Sequence, residues 1–161
     1  MVVVLMGVSG SGKTTIGRML AAELKWEFHD GDALHSIENR QKMARGIALT
    51  DADRMPWLYR VRELIEDCIA QGNNAVIACS ALKQSYRDIL VADPAQVRLV
   101  YLKGSLRLIA KRISARKGHF MPPSLLPSQF AALEEPRDAL AIDIAAPPAE
   151  IVRKIRKELS I

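Results

Sequence analysis

The most informative segment of the chain for its fold is VVVLMGVSGSGKTT at residues 2–15. Residues 2–6 are a continuous apolar run rich in β-branched side chains, which predicts a strand covered on both faces. The octapeptide GVSGSGKT at 7–14 fits G-x-x-x-x-G-K-[ST] at every defined position, and helical spacing of apolar residues follows at 13–24. A strand, a glycine-rich turn and a helix in this order predict a phosphate-binding loop.

The chemistry of this loop suits a nucleoside triphosphate. Glycines let backbone N–H groups approach phosphate oxygens, and the helix start adds a favourable dipole. We expect Lys13 to reach the β- and γ-phosphates of ATP, Thr14 to hold Mg²⁺ through its hydroxyl, and Thr15 to contact the α-phosphate. The predicted nucleotide-binding residues of the loop are Gly7, Val8, Ser9, Gly10, Ser11, Gly12, Lys13, Thr14 and Thr15. The alternative, a turn that only connects strand to helix, does not explain a complete match in this context.

Strand and helix patterns alternate along the rest of the chain. Further strands are predicted at 26–29, 75–79, 97–102 and 140–144. Helices are predicted at 36–45, 53–71, 84–91, 106–116, 128–133 and 149–159, and a loop at 117–127 from its glycine and prolines. We therefore expect one α/β domain over 1–161, a three-layer fold with a five-stranded parallel sheet between helices. Such sheets bind ligands at the carboxyl ends of their strands.

Composition and charge argue against several other classes of protein. The 161 residues are 49% hydrophobic and 25% charged, as in ordinary globular domains, and no apolar run is long enough to span a membrane. The net charge of +5 is spread along the chain with few aromatic residues, which disfavours a nucleic-acid-binding surface. Cys68 and Cys79 are too few and too isolated for a disulfide framework or a four-ligand zinc site, so we expect both to be buried and reduced. The run at 2–6 lacks the features of a signal peptide, and we expect a cytoplasmic protein that binds neither membrane nor nucleic acid.

An acidic pair, Asp30 and Asp32, follows the second predicted strand and so lies at the same edge of the sheet as the phosphate loop. Phosphoryl transfer to a hydroxyl uses a carboxylate that accepts the proton, and often another that positions the metal shell. Residues two apart in an extended segment point the same way. We assign Asp32 as the general base and Asp30 to Mg²⁺, directly or through water. The alternative is an ordinary Asp-Gly turn.

Motifs over nearly the whole chain resemble the gluconate kinases, P-loop kinases related to shikimate kinase. They are GVSGSGKTT, FHDGDALH, NRQKMARGIALTDADRMPWL, CSALKQSYRD, YLKG and ARKGHFMPPSLLPSQFAALEEP. The resemblance implies transfer of the γ-phosphate of ATP to the 6-hydroxyl of D-gluconate, giving 6-phosphogluconate and ADP. It also implies a homodimer and a mobile lid over about 116–128.

The resemblance implies roles for three arginines. Arg54 is expected to make a bidentate contact to the gluconate carboxylate, as a similarly placed arginine does in shikimate kinases. A surface arginine paired with Asp51 or Asp53 is the alternative. Arg112 is expected to stack on adenine, and Arg116 to contact phosphates as a catalytic residue. For both, a solvated basic helix end is the alternative.

Four further residues are substrate-binding candidates. His35 follows the acidic pair by one helical turn, with a capping or surface histidine as the alternative. Lys83, like Arg87, follows the third strand. It is expected to contact the substrate carboxylate or the phosphate, and the alternative is a solvated charge on a helix. Gln129 and His119 are candidates for a substrate hydroxyl, with Lys42 as a competitor.

Two other kinase families and one other class of protein are rival interpretations. Adenylylsulfate kinases share the DGD sequence but continue with Asn and a basic residue, where this chain has ALHS at 33–36. Shikimate kinases carry three glycines after the third strand, where this chain has Ser-Ala-Leu at 80–82. A nucleotide-sensing module without transfer would not need both Asp30 and Asp32.

Overall fold

The computed structural model describes residues 1–115 and 122–161 of the chain. The strands are β1 (Val2–Met6), β2 (Glu27–Asp30), β3 (Ala75–Ala78), β4 (Val97–Lys103) and β5 (Leu140–Asp143). The helices of the described residues are α1 (Lys13–Leu24), α2 (Ile37–Ala44), α3 (Asp51–Ala70), α4 (Gln84–Leu90), α5 (Leu106–Ser114), α6 (Leu126–Ala132) and α7 (Pro148–Leu159). The predicted elements are all present, with ends shifted by a few residues.

All strand pairs in the sheet are parallel, in the order β2-β3-β1-β4-β5. The central strand β1 is buried on both faces, which explains its uninterrupted apolar sequence. One face packs against α1, α5 and α7 through residues such as Leu20, Ile109 and Ile155. The other packs against α3 and α4 through residues such as Leu58 and Leu90. The predicted three-layer fold is confirmed.

Helix α3 begins two residues before its predicted start at residue 53. Thr50 accepts a hydrogen bond from the Asp53 N–H at 3.1 Å, and the Asp53 carboxylate accepts one from the Thr50 N–H at 3.0 Å. This capping box fixes the helix start. The helix buries Trp57, Leu58, Val61, Ile65 and Cys68, each large apolar side chain contributing roughly 1.5–3 kcal/mol.

The predicted loop at 117–127 is wrong over its last residues. A 3₁₀ turn spans Pro123–Leu125, and α6 starts at Leu126, two residues before the predicted start at 128. The prolines there occupy first-turn positions, where a missing N–H costs no helical hydrogen bond. The part of the expected lid from 123 to 128 is therefore helical, and residues 116–121 lie outside the described residues.

Both cysteines are buried and free, as expected. Burial raises the pKa of the Cys79 thiol to about 12, so this thiol stays protonated at neutral pH. Within 1–115 and 122–161, no helix combines the length and apolar character that crossing a membrane requires.

Candidate active site

The phosphate loop joins the carboxyl end of the central strand β1 to the start of α1. Gly10 and Gly12 have φ angles of 79° and 95°, a region that disfavours side chains with a Cβ. The two glycines therefore allow the chain to turn tightly and to present the start of α1 to the cleft. Lys13 Nζ donates to the carbonyl oxygens of Gly7 at 2.9 Å and Val8 at 3.0 Å, which holds the ammonium over the loop.

An acidic residue at the end of β2 meets the start of α1, and a second one follows in the next turn. Asp30, at the end of β2, accepts a hydrogen bond from the Thr14 hydroxyl at 3.2 Å. Its other carboxylate oxygen accepts one from the Asp32 N–H at 3.1 Å. The extended geometry predicted for this pair is wrong, because Gly31–Leu34 forms a 3₁₀ turn that Asp30 caps. A hydroxyl and a carboxylate in contact are the oxygen donors that Mg²⁺ prefers, so Thr14 and Asp30 fit that ion.

One cleft brings the phosphate loop together with most of the predicted acceptor residues. Its lining comprises Ser9, Gly10, Gly12, Lys13, Thr14, Thr15, Asp32, His35, Met43, Ala48, Leu49, Arg54, Trp57, Ser80, Leu82, Leu125, Ser128 and Gln129. Cations, a carboxylate and hydroxyl groups thus face the same space, beside an apolar wall that includes Trp57 and Leu125. The mixture suits a small polar anion next to a triphosphate.

His35 stacks on Trp57 at the wall of this cleft, with ring centroids 4.1 Å apart and planes 16° from parallel. The Trp57 indole N–H donates to the Gly31 carbonyl at 2.7 Å, so the turn that carries Asp32 and the ring under His35 are tied together. Burial, followed by the charges of Arg54 and two other arginines, lowers the pKa of His35 to about 4. At neutral pH His35 is therefore an uncharged imidazole. Its buried Nδ1 has no hydrogen-bond partner within the described residues.

The lowered pKa of His35 predicts a pH-dependent stability. Between pH 4 and 6.5 the unfolded chain binds more protons at this site than the folded chain, so the free energy of unfolding should rise with pH across that window. His35→Asn should reduce this rise by about 1–3 kcal/mol, the lower figure allowing for partial exposure of the ring. Urea unfolding of both proteins at several pH values measures it. Other groups cancel in the difference, so equal slopes in the two proteins would contradict the assignment.

Arg54 reaches the cleft from the first turns of α3. Its guanidinium donates to the Leu49 carbonyl at 2.6 Å and to the Tyr86 hydroxyl at 3.5 Å, and lies 5.9 Å from the centre of the Tyr86 ring. The alternative pairing with Asp51 or Asp53 is not what the described residues adopt. Asp51 forms an ion pair with Lys83 at 2.8 Å, and Asp53 forms one with Lys42 at 3.0 Å.

Two other cationic side chains, Lys83 and Arg87, lie outside the lining of the cleft. Lys83 does not line the cleft; it pairs with Asp51, whose pKa is lowered by hydrogen bonds from Lys83 and Tyr86. Its position therefore gives no support to substrate binding, which stays a prediction. The interpretation of Arg87 as a solvated helix charge is wrong. Its side chain is buried and donates to the carbonyls of Ala81 and Leu82 at 3.1 and 3.0 Å.

Gln129 contacts the phosphate loop itself. Its carboxamide oxygen accepts a hydrogen bond from the Ser9 N–H at 2.6 Å, across 120 residues of sequence. Helix α6 therefore packs its polar side against the loop, within reach of any group bound there. Arg116 and His119 belong to residues 116–121, outside the described residues, and their expected roles stay predictions.

Arg112 lies on the opposite side of the phosphate loop from Arg54. It helps to line a groove with Gly10, Thr15, Ala146 and Pro148, and its guanidinium donates to the Ile144 carbonyl at 2.6 Å. This groove shares Gly10, Gly12 and Thr15 with the acceptor cleft, so it borders the phosphate loop. The expected stacking of Arg112 on adenine stays a prediction.

Sequence reasoning missed the residues that support Arg54 and His35. Tyr86 is buried and contacts both Arg54 and Asp51, yet it lies 32 residues from Arg54 in the chain. Trp57 is buried in the core and also lines the cleft. The sequence contains one hint of the role of Tyr86, namely its position within the motif CSALKQSYRD.

Known proteins resemble this chain in both sequence and fold. The shikimate kinase family model matches residues 9–157. A gluconokinase of Gluconobacter oxydans is 50% identical over 84% of this chain and 76% of its own length. The thermosensitive gluconokinase of Escherichia coli is 44% identical over 96% of this chain and 84% of its own. The crystal structure of a gluconokinase from Sinorhizobium meliloti superposes with a TM-score of 0.88 at 46% identity, covering 98% of this chain and 90% of the other.

The curated relatives name the family more narrowly than the shikimate kinase model does. Their identities of 44–50% cover 84–96% of the chain, far more than the phosphate loop alone. Together with the joined phosphate loop and acceptor cleft, they identify the chain as a kinase that belongs to the gluconokinase family.

Proposed function

We propose that this protein transfers the γ-phosphoryl group of ATP to the 6-hydroxyl of D-gluconate, giving 6-phospho-D-gluconate and ADP. The observation that carries the proposal is the single cleft in which the phosphate loop, Asp32, His35 and Arg54 face one another. Gluconate has a carboxylate at one end and the reacting hydroxyl at the other. Phosphorylation of gluconate requires a cation that binds the carboxylate and a carboxylate base beside the reacting hydroxyl.

The loop and Lys13 bind and orient the triphosphate. Backbone N–H groups of the loop and the Lys13 ammonium neutralise charge on the β- and γ-phosphates, and Arg112 lies beside the nucleoside. Thr14 and Asp30 would hold Mg²⁺, which supplies further positive charge to the phosphate oxygens when bound. Arg116, four residues after Arg112 in the sequence, is proposed to reach the same phosphates.

Asp32 is the proposed general base. Its carboxylate accepts the proton of the 6-hydroxyl as that oxygen forms a bond to the γ-phosphorus, and the bond from phosphorus to the bridging oxygen of ADP breaks. The uncharged His35 is proposed to hydrogen-bond a neighbouring hydroxyl of gluconate. Gln129, and His119 in the segment beyond α5, are proposed to do the same from the side of the lid.

Arg54 is the proposed carboxylate ligand, and its replacement should act on gluconate alone. Arg54→Ala should raise the KM for gluconate about 10–10²-fold, since a hydrogen bond to a charged group contributes about 1.5–3 kcal/mol. The KM for ATP should change little. Arg62→Ala, which also removes one arginine from α3, is the matched control, because Arg62 pairs with Glu66 and lies outside the cleft lining. An equal rise in both variants would contradict the distinct role of Arg54.

A coupled assay tests the proposed reaction. The protein with ATP and Mg²⁺ should release ADP rapidly with D-gluconate and yield a product phosphorylated at the 6-position. Shikimate and adenylylsulfate should give no comparable turnover. Turnover confined to either of these would overturn the proposal, and absence of turnover with every acceptor would favour a nucleotide sensor.

The setting of the enzyme follows the resemblance. We propose that it works in the cytoplasm as a homodimer, with a lid over about 116–128 that closes on bound ATP. Closure would exclude water from the transferred group. Sedimentation equilibrium measures the dimer, and a mass of 17.8 kDa at all concentrations would contradict it.

A further inference from the structure

A second group of metal-ligating side chains lies apart from the active-site cleft. Among the described residues, one donor atom from each of Glu27, His29 and Cys68 lies within 4.8 Å of the other two. None of the three residues lines the cleft that contains the phosphate loop. The proposed reaction therefore leaves this group of side chains unexplained.

Rigid elements hold the three side chains together. Glu27 and His29 are two apart on β2, so they project from the same face of this edge strand. Cys68 lies in the last turn of α3, which packs against that face. The Asn73 side chain, just beyond α3, donates to the Glu27 carboxylate at 3.4 Å. Two elements distant in sequence thus meet at one point.

The geometry and the donor atoms select the class of ion. The His29 Nε2 atom lies 3.0 Å from a Glu27 carboxylate oxygen. Two ligands of a tetrahedral zinc ion at about 2.0–2.1 Å are separated by about 3.3 Å, so a small movement admits the ion between them. A set of imidazole, thiolate and carboxylate is typical of Zn²⁺, whereas Mg²⁺ and Ca²⁺ prefer oxygen donors alone.

We propose that Glu27, His29 and Cys68 form a binding site for one zinc ion that joins the edge strand β2 to the end of α3. Glu27 is exposed and Cys68 is buried, so the ion enters from the solvent side and water completes its coordination. Asn73 orients the carboxylate as an outer partner. The ion has a structural role. It fixes β2, the strand that ends at Asp30, to α3, the helix that bears Arg54.

Cobalt titration of the full chain tests the site without any substrate. Co²⁺ takes the place of Zn²⁺, and a thiolate bound to it produces an intense near-ultraviolet charge-transfer band. Chelator-treated, reduced protein in excess Mg²⁺, which occupies oxygen-only sites, should develop this band to saturation at one Co²⁺ per chain. Added Zn²⁺ should abolish it. Absence of the band would overturn the proposal.

Matched variants assign the ligands. Cys68→Ser should lose the band and Cys79→Ser should keep it, since each removes one buried thiol.

Glu27→Gln, an exposed change that spares the core, should weaken Zn²⁺ binding by at least the roughly 10–100-fold typical of losing an outer partner. Glu63→Gln on the exposed side of α3 should not weaken it. If Cys68→Ser does not fold, Glu27→Gln carries the test. A band that follows Cys79, or equal affinities of the two glutamine variants, would overturn the site.

Discussion

Asp32→Asn should lower kcat by about 10²–10⁴-fold, the range that a positioned general base contributes. The substitution keeps the size and polarity of the side chain but removes its capacity to accept the proton of the 6-hydroxyl. Asp32 lines the acceptor cleft and stands on a turn fixed by Asp30 and Trp57. ATP affinity should therefore change little, because the phosphate loop remains intact.

Steady-state kinetics and nucleotide titration measure the two effects of Asp32→Asn separately. Asp67→Asn, an exposed change of the same kind on α3, is the matched control and should keep full activity. A fully active Asp32→Asn enzyme would remove Asp32 as the base. Loss of ATP affinity equal to the loss of turnover would make Asp32 a nucleotide-binding residue instead.

Lys13→Ala should weaken both nucleotide binding and turnover. The lost ammonium acts on the phosphates in the ground state, where a hydrogen bond to a charged group contributes about 1.5–3 kcal/mol, or roughly 10–10²-fold in affinity. It acts more strongly as charge develops during transfer, so kcat should fall by a further factor of about 10²–10³. Calorimetric titration with an ATP analogue and steady-state kinetics measure these changes.

The unfolding temperature checks that Lys13→Ala acts through the phosphates. Lys13 also donates to the carbonyls of Gly7 and Val8, so its removal could loosen the loop. Lys154→Ala, on the exposed face of α7, is the control for losing one positive charge. Affinity and kcat unchanged from those of the Lys154 variant would show that Lys13 does not bind the triphosphate.

The sequence predicted those parts of the site whose geometry is local. The phosphate loop is one contiguous motif, and its flanking strand and helix follow from the runs beside it. The alternation of strands and helices likewise predicted the parallel sheet, because right-handed crossovers leave few other arrangements. The capping box of Thr50 and Asp53 at the start of α3 is also a local signal. The prediction did not use it, and the predicted start was therefore two residues too late.

The rest of the site depends on contacts between distant residues. The stack of His35 on Trp57 joins an early turn to α3, and burial at this point lowers the pKa of the histidine. Gln129 reaches Ser9 from the other end of the chain, and Tyr86 supports Arg54 from α4. Pairings of this kind are set by packing of whole elements, and no local pattern encodes them. The turn after Asp30 was considered only as the alternative to an extended pair, and its 3₁₀ form was not specified, because a short Asp-Gly stretch fits several turn geometries.

A structure of the complex with a non-hydrolysable ATP analogue and D-gluconate would show whether one cleft holds both substrates for transfer. We expect the triphosphate along the phosphate loop, the gluconate carboxylate on Arg54, and the 6-hydroxyl oxygen within about 3.2 Å of an Asp32 carboxylate oxygen and facing the γ-phosphate. Gluconate bound outside the cleft, or with its 6-hydroxyl turned away from Asp32, would contradict this expectation.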